Sequence, residues 1–503
     1  MNEWRDQTVV EALNADIKVT KSADESARFP IADDSPQLTP QAKRLLPWLV
    51  AVAFFMEALD TTILNTAVPT MAKALDVAPL SLKSVLTSYT LALAVFIPVS
   101  GWIAERFGTR RVFATAIGLF TLGSMLSGAT NSLHLLVVCR IIQGIGGAMM
   151  VPVGRLTMVR AFARGEIVRA MSFVAIPALI GPLIGPLAGG LLVHYAHWRL
   201  IFFVNVPIGL LGLYMVWRHL PDYRAKDPHR LDVVGFVLFG AGVALLSYVL
   251  EVFGEHTLSG LEISGILGVA LALLFTYGVH ASRRRWPLLR LSLFSIRTFR
   301  ASILGAFLAR LGAGGMPFLL PLLYQVGLGY SAVQSGLLLL PQSIAAIGLR
   351  FIVPTILARV GFRTVLVFNT VAMGGIIALF STVGAATPPA VIAVQGLFFG
   401  FCSSLQYSSM NTLVYADVPV QETSMASTLA STFQQLSLSF GVAVASLATA
   451  LFVPDRFHSD STQIVHGLHR ALLTLGAVTA LSAWLFFDLK KDDGANVSRH
   501  VTK

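Results

Sequence analysis

Fourteen apolar stretches divide this chain of 503 residues, and each is long enough to cross a lipid bilayer. A membrane-spanning helix needs about 20 apolar residues, and in hydrocarbon its backbone polar groups must be hydrogen-bonded within the helix. We therefore predict an all-α membrane protein with fourteen transmembrane helices. Both chain ends then lie on one side of the membrane, because fourteen is an even number. The predicted spans are residues 46–68, 80–103, 112–130, 133–158, 169–193, 199–217, 232–252, 261–281, 299–325, 333–357, 364–383, 389–414, 425–453 and 469–488.

The basic residues fall mostly on one side of this predicted topology. Of the 37 Lys and Arg residues, 28 lie in the tails and loops on the side of the chain ends. Five lie on the other side, and four lie inside the spans, namely Arg140, Arg155, Arg310 and Arg350. An excess of Lys and Arg in loops marks the cytoplasmic side of a membrane. The pattern therefore predicts that both termini are cytoplasmic.

The overall charge has a membrane explanation. Only 13% of the residues are charged, against about 25% in a typical soluble domain. The formal net charge of +11 could suggest a nucleic-acid partner. However, the basic residues flank the apolar stretches and do not form one surface. We interpret them as topology anchors against anionic membrane lipid and predict no nucleic-acid partner.

Two short motifs recur at nearly the same separation and indicate an internal repeat. Residues 106–112 resemble residues 359–365, and Gln143-Gly144 resembles Gln395-Gly396. Parallel six-helix repeats are one transporter plan, in which the substrate binds at the midplane between the two halves. The predicted division is residues 1–45 as a disordered cytoplasmic tail, 46–218 as an N-terminal six-helix half, 219–297 as a linker with two inserted helices, 298–489 as a C-terminal six-helix half, and 490–503 as a cytoplasmic tail.

Two glycine-containing motifs have spacings that suit conformational change. In the loop after the second span, glycines permit a tight turn, and the charges can form a network that breaks in another conformation. In the fifth span, the glycines permit close helix packing and the prolines permit bending, although ordinary packing explains this spacing equally well. The loop residues are Gly101, Glu105, Arg106, Gly108 and Arg110, and the span residues are Gly181, Pro182, Gly185, Pro186 and Gly189.

The first span carries a polar face that suits proton binding. Four polar residues recur at three- and four-residue spacing, which places them on one side of a helix. They are Glu57, Asp60, Thr61 and Asn65. Two carboxylates one turn apart titrate as a coupled pair, which suits a proton carrier, although Asp60 could instead be permanently ion-paired. A charge inside a span costs roughly 3 kcal/mol or more, so Arg140 in the fourth span should point inward to a partner.

These motifs resemble those of the major facilitator superfamily. Residues 59–69 and 198–209 further resemble its 14-helix drug:proton antiporter family, of the EmrB and QacA type, and residues 147–157 match one branch nearly letter for letter. The resemblance covers about residues 46–490, with Glu105 in place of the usual Asp. It implies a bacterial inner-membrane exporter that takes up protons in exchange for its substrate. It also implies that Asp60 and Arg140 carry the proton coupling, with Glu57 as a neighbour outside the motif.

The arginines inside the spans favour a different substrate class from the family name. Arg310 lies about 18 Å into the ninth span at 1.5 Å per residue. If all four arginines face inward, the interior carries excess positive charge and should prefer anions. Arg155 and Arg350 could instead extend to the cytoplasmic interface. The predicted substrate-binding residues are Arg310, Asn65, Gln143, Gln325, Gln342, Asn411 and Arg350, although each amide could equally be an interhelical contact.

The sequence thus predicts a proton-coupled antiporter that exports drugs or toxic compounds, with organic anions such as carboxylates or metal–carboxylate chelates as the alternative substrates. A non-transporting membrane sensor is a lesser alternative, because the tails are short and polar. The motifs include no catalytic constellation, cofactor site or metal site, so we predict neither enzyme activity nor a cofactor. The expected partners are a small-molecule substrate, protons and lipid, and we expect a monomer. The inserted helices at 231–281 should pack at the periphery.

Overall fold

A computed structural model describes residues 40–162, 164–225, 229–253, 258–350, 352–452 and 461–498. Most of the predicted N-terminal tail, and residues 454–460 between the last two predicted spans, lie outside these ranges. Throughout the described ranges the regular secondary structure is helical. The all-α prediction is therefore confirmed.

In the part of the chain that the structure describes, fourteen main helices correspond to the predicted spans. Their bounds are α1 Pro40–Ile63, α2 Lys83–Phe107, α3 Thr109–Ala129, α4 Leu133–Ala161, α5 Arg164–Tyr195, α6 Asn205–His219, α7 Val233–Val252, α8 Gly260–Arg283, α9 Arg297–Ala313, α10 Ala332–Leu349, α11 Phe362–Leu379, α12 Pro389–Leu413, α13 Thr423–Phe452 and α14 Ser461–Leu481. Shorter helical segments extend several of them, namely Val68–Ala74, Pro79–Leu82, Leu200–Phe203, Met316–Leu322, Leu323–Gly327, Val353–Val360, Phe380–Thr382, Val420–Glu422 and Ser482–Asp488; Leu291–Ser295 and Ala495–Ser498 lie outside the spans.

The number of membrane spans agrees with the prediction. Within the described ranges, thirteen helices are long and apolar enough to cross a membrane. The fourteenth is α5, whose apolar part is Leu179–Tyr195. Two helices begin more than five residues before the predicted start: α1 begins at Pro40 and not at 46, and α14 begins at Ser461 and not at 469. Residues 461–468 are therefore helical and not loop, because a helix satisfies its own backbone hydrogen bonds even where its side chains are polar.

Helices α1 and α9, the first of each six-helix set, are both interrupted near one end. Helix α1 ends at Ile63, and after a turn the chain continues as the short helix that begins at Val68. Helix α9 ends at Ala313 and resumes at Met316 after the pair Gly314-Gly315. Proline lies at the second position of each continuing segment, where its missing N–H costs no hydrogen bond. Transporters commonly place interrupted helices of this kind at their binding sites.

The two sets of six helices meet along two seams. Helix α2 packs on α13, and α5 packs on α10, whereas the remaining large contacts lie within each set. The inserted helices α7 and α8 pack mainly on each other. Helix α7 also packs on α2 and α13, on the outer side of the contact between those two helices. Much of α8 is exposed, as expected for a lipid-facing helix. This arrangement agrees with the expected peripheral position of the insert.

We call the side on which Pro40 and Ser498 lie the termini face. At this face Arg297 at the start of α9 forms an ion pair with Asp493 at 2.5 Å. At the opposite face the two helix sets touch closely, since a Cβ atom on Gly336 of α10 would lie 2.6 Å from the carbonyl oxygen of Pro186. The side chain of Gln325 also donates to the carbonyl of Thr66 across the sets, at 3.0 Å. The sets are therefore joined at the opposite face.

The insert is fixed at the termini face through Asp232, which caps α7. Its carboxylate accepts from the backbone N–H of Gly235 and Leu288 and lies 2.7 Å from His280 Nε2. Burial alone would raise the pKa of Asp232, but these hydrogen bonds and the charge of His280 outweigh burial and hold that pKa below its usual value. The carboxylate therefore holds α7, α8 and the linker that follows α8 together.

Candidate functional site

A buried ion pair joins the first and fourth helices. Arg140 Nη1 lies 2.6 Å from Asp60 Oδ2, and each side chain is only 1% exposed. Asp60 lies one turn before the interruption of α1, and Arg140 lies two turns into α4. Breaking a buried pair by removing one partner typically costs about 3–5 kcal/mol, because it leaves an uncompensated charge. The predicted inward orientation of Arg140 is thus observed, with Asp60 as its partner.

Three further donors and acceptors complete this ion pair. Gln143 Nε2 donates to Asp60 Oδ1 at 2.8 Å, and Gln143 Oε1 accepts from Arg140 at 2.7 Å. Asn205 Nδ2 donates to the same Asp60 oxygen at 3.1 Å, and Arg140 Nε donates to the carbonyl of Val85 at 3.3 Å. The Asp60 carboxylate thus accepts hydrogen bonds from three side chains, those of Arg140, Gln143 and Asn205. Gln143, which we predicted as a substrate ligand, belongs to this network.

Two members of the network were not among the predicted site residues. Asn205 begins α6, and its Oδ1 atom is buried without a hydrogen-bond partner in the described ranges. The ring of Tyr89 lies 4.2 Å from the Arg140 guanidinium carbon, and its hydroxyl is likewise buried and unpartnered there. The family-like segment 198–209 contains Asn205 and could have identified it. No sequence signal distinguishes Tyr89 from a packing residue.

Glu57 stands apart from the ion pair. It is half-buried, and within the described ranges it makes no ion pair closer than 4 Å. Arg155, the nearest candidate on α4, is exposed and lies over the ring of Phe54 at 5.9 Å. Of the three residues predicted to couple protons, the structure thus brings Asp60 and Arg140 together and leaves Glu57 one turn away.

A cavity of about 1030 Å³ opens toward the termini face between the C-terminal set and α5. Its lining is apolar on the α5 side and polar on α12, where Ser404, Tyr407, Ser408 and Asn411 face it. Two arginines, Arg350 and Arg359, line the part nearest the termini face. Among the described lining residues there is no Asp or Glu. The volume fits a small organic molecule of ordinary drug size.

The structure places the predicted substrate-binding residues in different parts of the molecule. Gln342, Arg350 and Asn411 line the cavity. Asn65 is buried in the interruption of α1, and Gln325 bonds across the two sets at the opposite face. Neither of these two lines the cavity. Position along a span therefore did not determine which of these side chains faces the cavity.

Arg310 lies directly behind the cavity wall. Its guanidinium carbon is 4.5 Å from the ring centre of Tyr407, whose other side lines the cavity. The side chain is 5% exposed, and in the described part of the chain no carboxylate lies within ion-pair distance of it. A second hollow, near the size of one water molecule at about 10 Å³, is lined by Arg310 and Asn411. Asn411 therefore borders both the hollow and the cavity.

The loop motif between α2 and α3, which runs from residue 101 to 110, contacts the linker that leads into the insert. Thr109 N–H donates to the carbonyl of Tyr223 at 3.0 Å, and the N–H of Ala225 donates to the carbonyl of Glu105 at 3.1 Å. The Glu105 carboxylate lies 3.7 Å from Arg160 of α4. Gly108 has a φ of +95°, and a Cβ there would collide with the carboxylate of Asp222. We call residues 221–225 the strap, because they cross the loop motif.

The glycines of the fifth helix permit two close approaches. Three glycines of α5 lie so close to α1 and the turn after it that an added Cβ atom would collide with residues between Ala58 and Thr66. They are Gly181, Gly185 and Gly189. Gly190, on the neighbouring face of α5, contacts the backbone of α10 in the same way. Helix α5 therefore packs on the helix that carries Asp60 and also on the opposite helix set. Within the described ranges no cluster of His, Cys, Asp or Glu side chains could hold a metal ion.

Comparisons with known proteins identify the family. Residues 50–442 match the model of the Major Facilitator Superfamily. MdtD of Escherichia coli, which carries the name of a multidrug resistance protein, is 39% identical over 463 residues, covering 91% of this chain and 97% of MdtD. MdtD of Shigella flexneri matches to the same extent. These proteins form the branch that residues 147–157 resemble.

Solved structures agree on the fold. A bacterial homologue of the human lysosomal transporter Spinster, in an inward-facing and unoccupied conformation, aligns with a TM-score of 0.63 at 12% identity, covering 89% of this chain and 97% of that one. A POT family transporter in complex with 5-aminolevulinic acid aligns with a TM-score of 0.65 at 15% identity, covering 90% and 97%. At such identities the likeness concerns the fold alone.

Proposed function

Since the chain belongs to the major facilitator superfamily and is therefore a membrane transporter and not an enzyme, we propose that it is a proton-coupled antiporter that exports small molecules across the bacterial cytoplasmic membrane. Drugs or other toxic compounds are the first candidate substrates, in keeping with the name of the MdtD relatives. The single observation that carries the proton coupling is the buried pair of Asp60 and Arg140. The transporter acts as a monomer with both termini in the cytoplasm.

Proton binding at Asp60 would act directly on the ion pair. A protonated Asp60 loses most of its attraction for Arg140, which then keeps Gln143, the carbonyl of Val85 and the ring of Tyr89 as partners. Six residues further along the chain, the carbonyl of Thr66 accepts the hydrogen bond from Gln325 of the other helix set. A shift of the interrupted end of α1 therefore reaches a contact that joins the two sets at the opposite face.

The cavity supports export as the direction of transport. It opens toward the termini face, which is cytoplasmic in this proposal, while the helix sets are joined at the other face. A cytoplasmic substrate could therefore enter in this conformation. Proton entry from outside would then accompany the opening of the outer contacts and release of the substrate.

The experiment uses purified protein in liposomes that contain a pH-sensitive dye. With the lumen acidified, the expected result is substrate movement into the lumen coupled to proton movement out of it. Cationic drugs and organic acids are tested at equal concentrations, and empty liposomes give the leak. Substrate movement that is unchanged when the pH gradient is collapsed would refute proton coupling.

A second candidate function is the export of organic anions such as carboxylates or metal–carboxylate chelates. Arg310 favours it, because this buried guanidinium has no carboxylate within ion-pair distance in the described ranges and lies behind Tyr407 at 4.5 Å. A buried cation needs a compensating partner, and an anionic substrate in the cavity could supply one. The arginines that line the cavity add positive charge without an acidic residue among the described lining residues.

Arg310 variants distinguish the two substrate classes. Arg310→Lys keeps the charge but loses the planar donor pair, and Arg310→Gln loses the charge as well. If anions are the substrates, carboxylate export falls sharply in Lys and further in Gln, while export of a cationic dye changes little. Equal losses for both substrates at matched expression would assign Arg310 a structural role and remove the main support for anion export.

A further inference from the structure

A row of aromatic rings crosses the termini face between the loop motif and the end of the insert. The rings of Phe107 and Trp102 lie 6.2 Å apart. Trp102 Nε1 donates to the carbonyl of His229 at 2.6 Å, and the His229 ring stacks on Trp286 at 5.2 Å. At the far end, the guanidinium of Arg285 lies 6.0 Å from the Trp286 ring centre. We call Phe107, Trp102, His229 and Trp286 the aromatic row.

The aromatic row is held in place by the backbone around it. The strap is hydrogen-bonded to Thr109 and Glu105, so the linker that carries His229 starts from a fixed position. On the other side, Asp232 binds the backbone N–H of Leu288, two residues after Trp286. Both linkers are therefore anchored on either side of the His229–Trp286 stack. The surface is preformed, which lowers the entropic cost of binding a partner.

Unpaired arginines border the aromatic row. Arg283, Arg284 and Arg285 are exposed at the end of α8, and Arg106 and Arg110 are exposed in the loop motif. None of these five guanidinium groups forms an ion pair within the described ranges. The neighbouring acids are already engaged, Glu105 with Arg160, Asp222 with Arg224 and Asp232 with His280. The surface therefore offers positive charge and exposed aromatic rings together.

The surface lies at the level of the lipid head groups, because α2 ends at Phe107 and α8 ends at Arg283. Aromatic rings prefer this boundary, and arginine binds a phosphate with two parallel hydrogen bonds. We propose that the aromatic row and the arginines Arg283–Arg285 form a binding site for the phosphate head group of an anionic phospholipid. The site lies on the insert and the loop motif, away from the Asp60 network and the cavity.

The test measures lipid affinity by native mass spectrometry. Delipidated protein is titrated with phosphatidylglycerol or with zwitterionic phosphatidylcholine, and the Kd of the first bound lipid is obtained for each. The variant is Arg283→Gln/Arg284→Gln/Arg285→Gln. The matched control, Arg44→Gln/Lys490→Gln/Lys491→Gln, removes three exposed charges elsewhere on the same face. Each basic residue near an anionic lipid surface contributes about 1 kcal/mol, a roughly fivefold change in Kd.

The expected result is tighter binding of phosphatidylglycerol than of phosphatidylcholine by the wild type. The triple arginine variant should lose this preference, while the control variant keeps it. The phosphatidylcholine Kd should change less than the phosphatidylglycerol Kd, because the choline group offsets the charge of its phosphate. If the triple variant does not fold, Arg284→Gln alone should weaken phosphatidylglycerol binding roughly fivefold. Equal affinity of the wild type for the two lipids, or an equal loss in the control variant, would overturn the proposal.

Discussion

The ion pair of Asp60 and Arg140 permits a prediction that separates proton coupling from folding. Asp60→Asn removes the group that binds the proton, but it also leaves Arg140 buried, at 1% exposure, without its counter-ion. A loss of transport in this variant alone could therefore reflect poor folding. The double variant Asp60→Asn/Arg140→Gln removes both charges and leaves neutral amides at both positions. We expect it to restore stability without restoring coupling.

The magnitudes follow from the geometry. Removing one partner of a buried ion pair costs about 3–5 kcal/mol. Asn at position 60 keeps an oxygen that can accept from Arg140 and an amide that resembles the carboxylate in size. We therefore expect Asp60→Asn to lie near the lower end, at about 3 kcal/mol, and the double variant to recover most of that loss. Each proton that enters down 100 mV supplies about 2.3 kcal/mol, which neither variant can use.

The assays measure the two properties separately. Thermal unfolding of the purified proteins in one detergent gives stability, and active export in liposomes with an imposed proton gradient gives coupling. Binding of the substrate to the solubilised variants tests whether the cavity is intact. The expected pattern is low stability and no coupled export for Asp60→Asn, but near wild-type stability, retained binding and no coupled export for the double variant.

Two results would contradict this reasoning. Active export by Asp60→Asn with unchanged dependence on pH would remove Asp60 from the proton pathway. A double variant that is much less stable than Asp60→Asn would show that the charges of the ion pair are not the main cause of the instability. In that case Arg140 would be held mainly by Gln143 and Tyr89, which contact it independently of Asp60.

Three other features of the structure give further predictions. Gly108→Ala should lower the melting temperature by the equivalent of about 1–2 kcal/mol, because the φ angle of Gly108 is +95°. The control Gly101→Ala should have no such effect, since open space surrounds Gly101. Equal losses in the two variants would contradict the strain argument. Glu251→Ala should leave transport largely intact, since the insert does not line the cavity, and loss of transport with normal expression would make the insert functional. The folded-state pKa of Asp232 lies below its usual 3.8, so its contribution to stability is present above pH 3.8 and is lost as the pH falls through that lower value. The melting temperatures of wild type and Asp232→Asn should therefore differ at pH 7, and the difference should shrink as the pH falls below 3.8. A constant difference would show that the interaction with His280 does not depend on the charge of Asp232.

The sequence by itself determined the membrane architecture. Fourteen spans could be counted because a bilayer imposes a minimum length of apolar helix, and each helix satisfies its own backbone. The cost of burying a charge also predicted that Arg140 points inward to a partner. Even the glycines of α5 could be assigned to close packing, since their four-residue spacing places them on one face. All these inferences use only the positions of residues along one helix and the cost of exposing polar groups to lipid.

Only the tertiary structure decided which polar residues meet. Asp60 and Arg140 are 80 residues apart, and Asn205 reaches the same carboxylate from a third helix. The sequence analysis predicted Gln143, Gln325 and Asn411 alike as substrate-binding residues, yet they lie in the ion-pair network, at the joined face and in the cavity wall, respectively. Depth in the membrane follows from position along a helix. The direction in which a side chain faces depends on how each helix is rotated against its neighbours, and packing between distant segments determines that rotation.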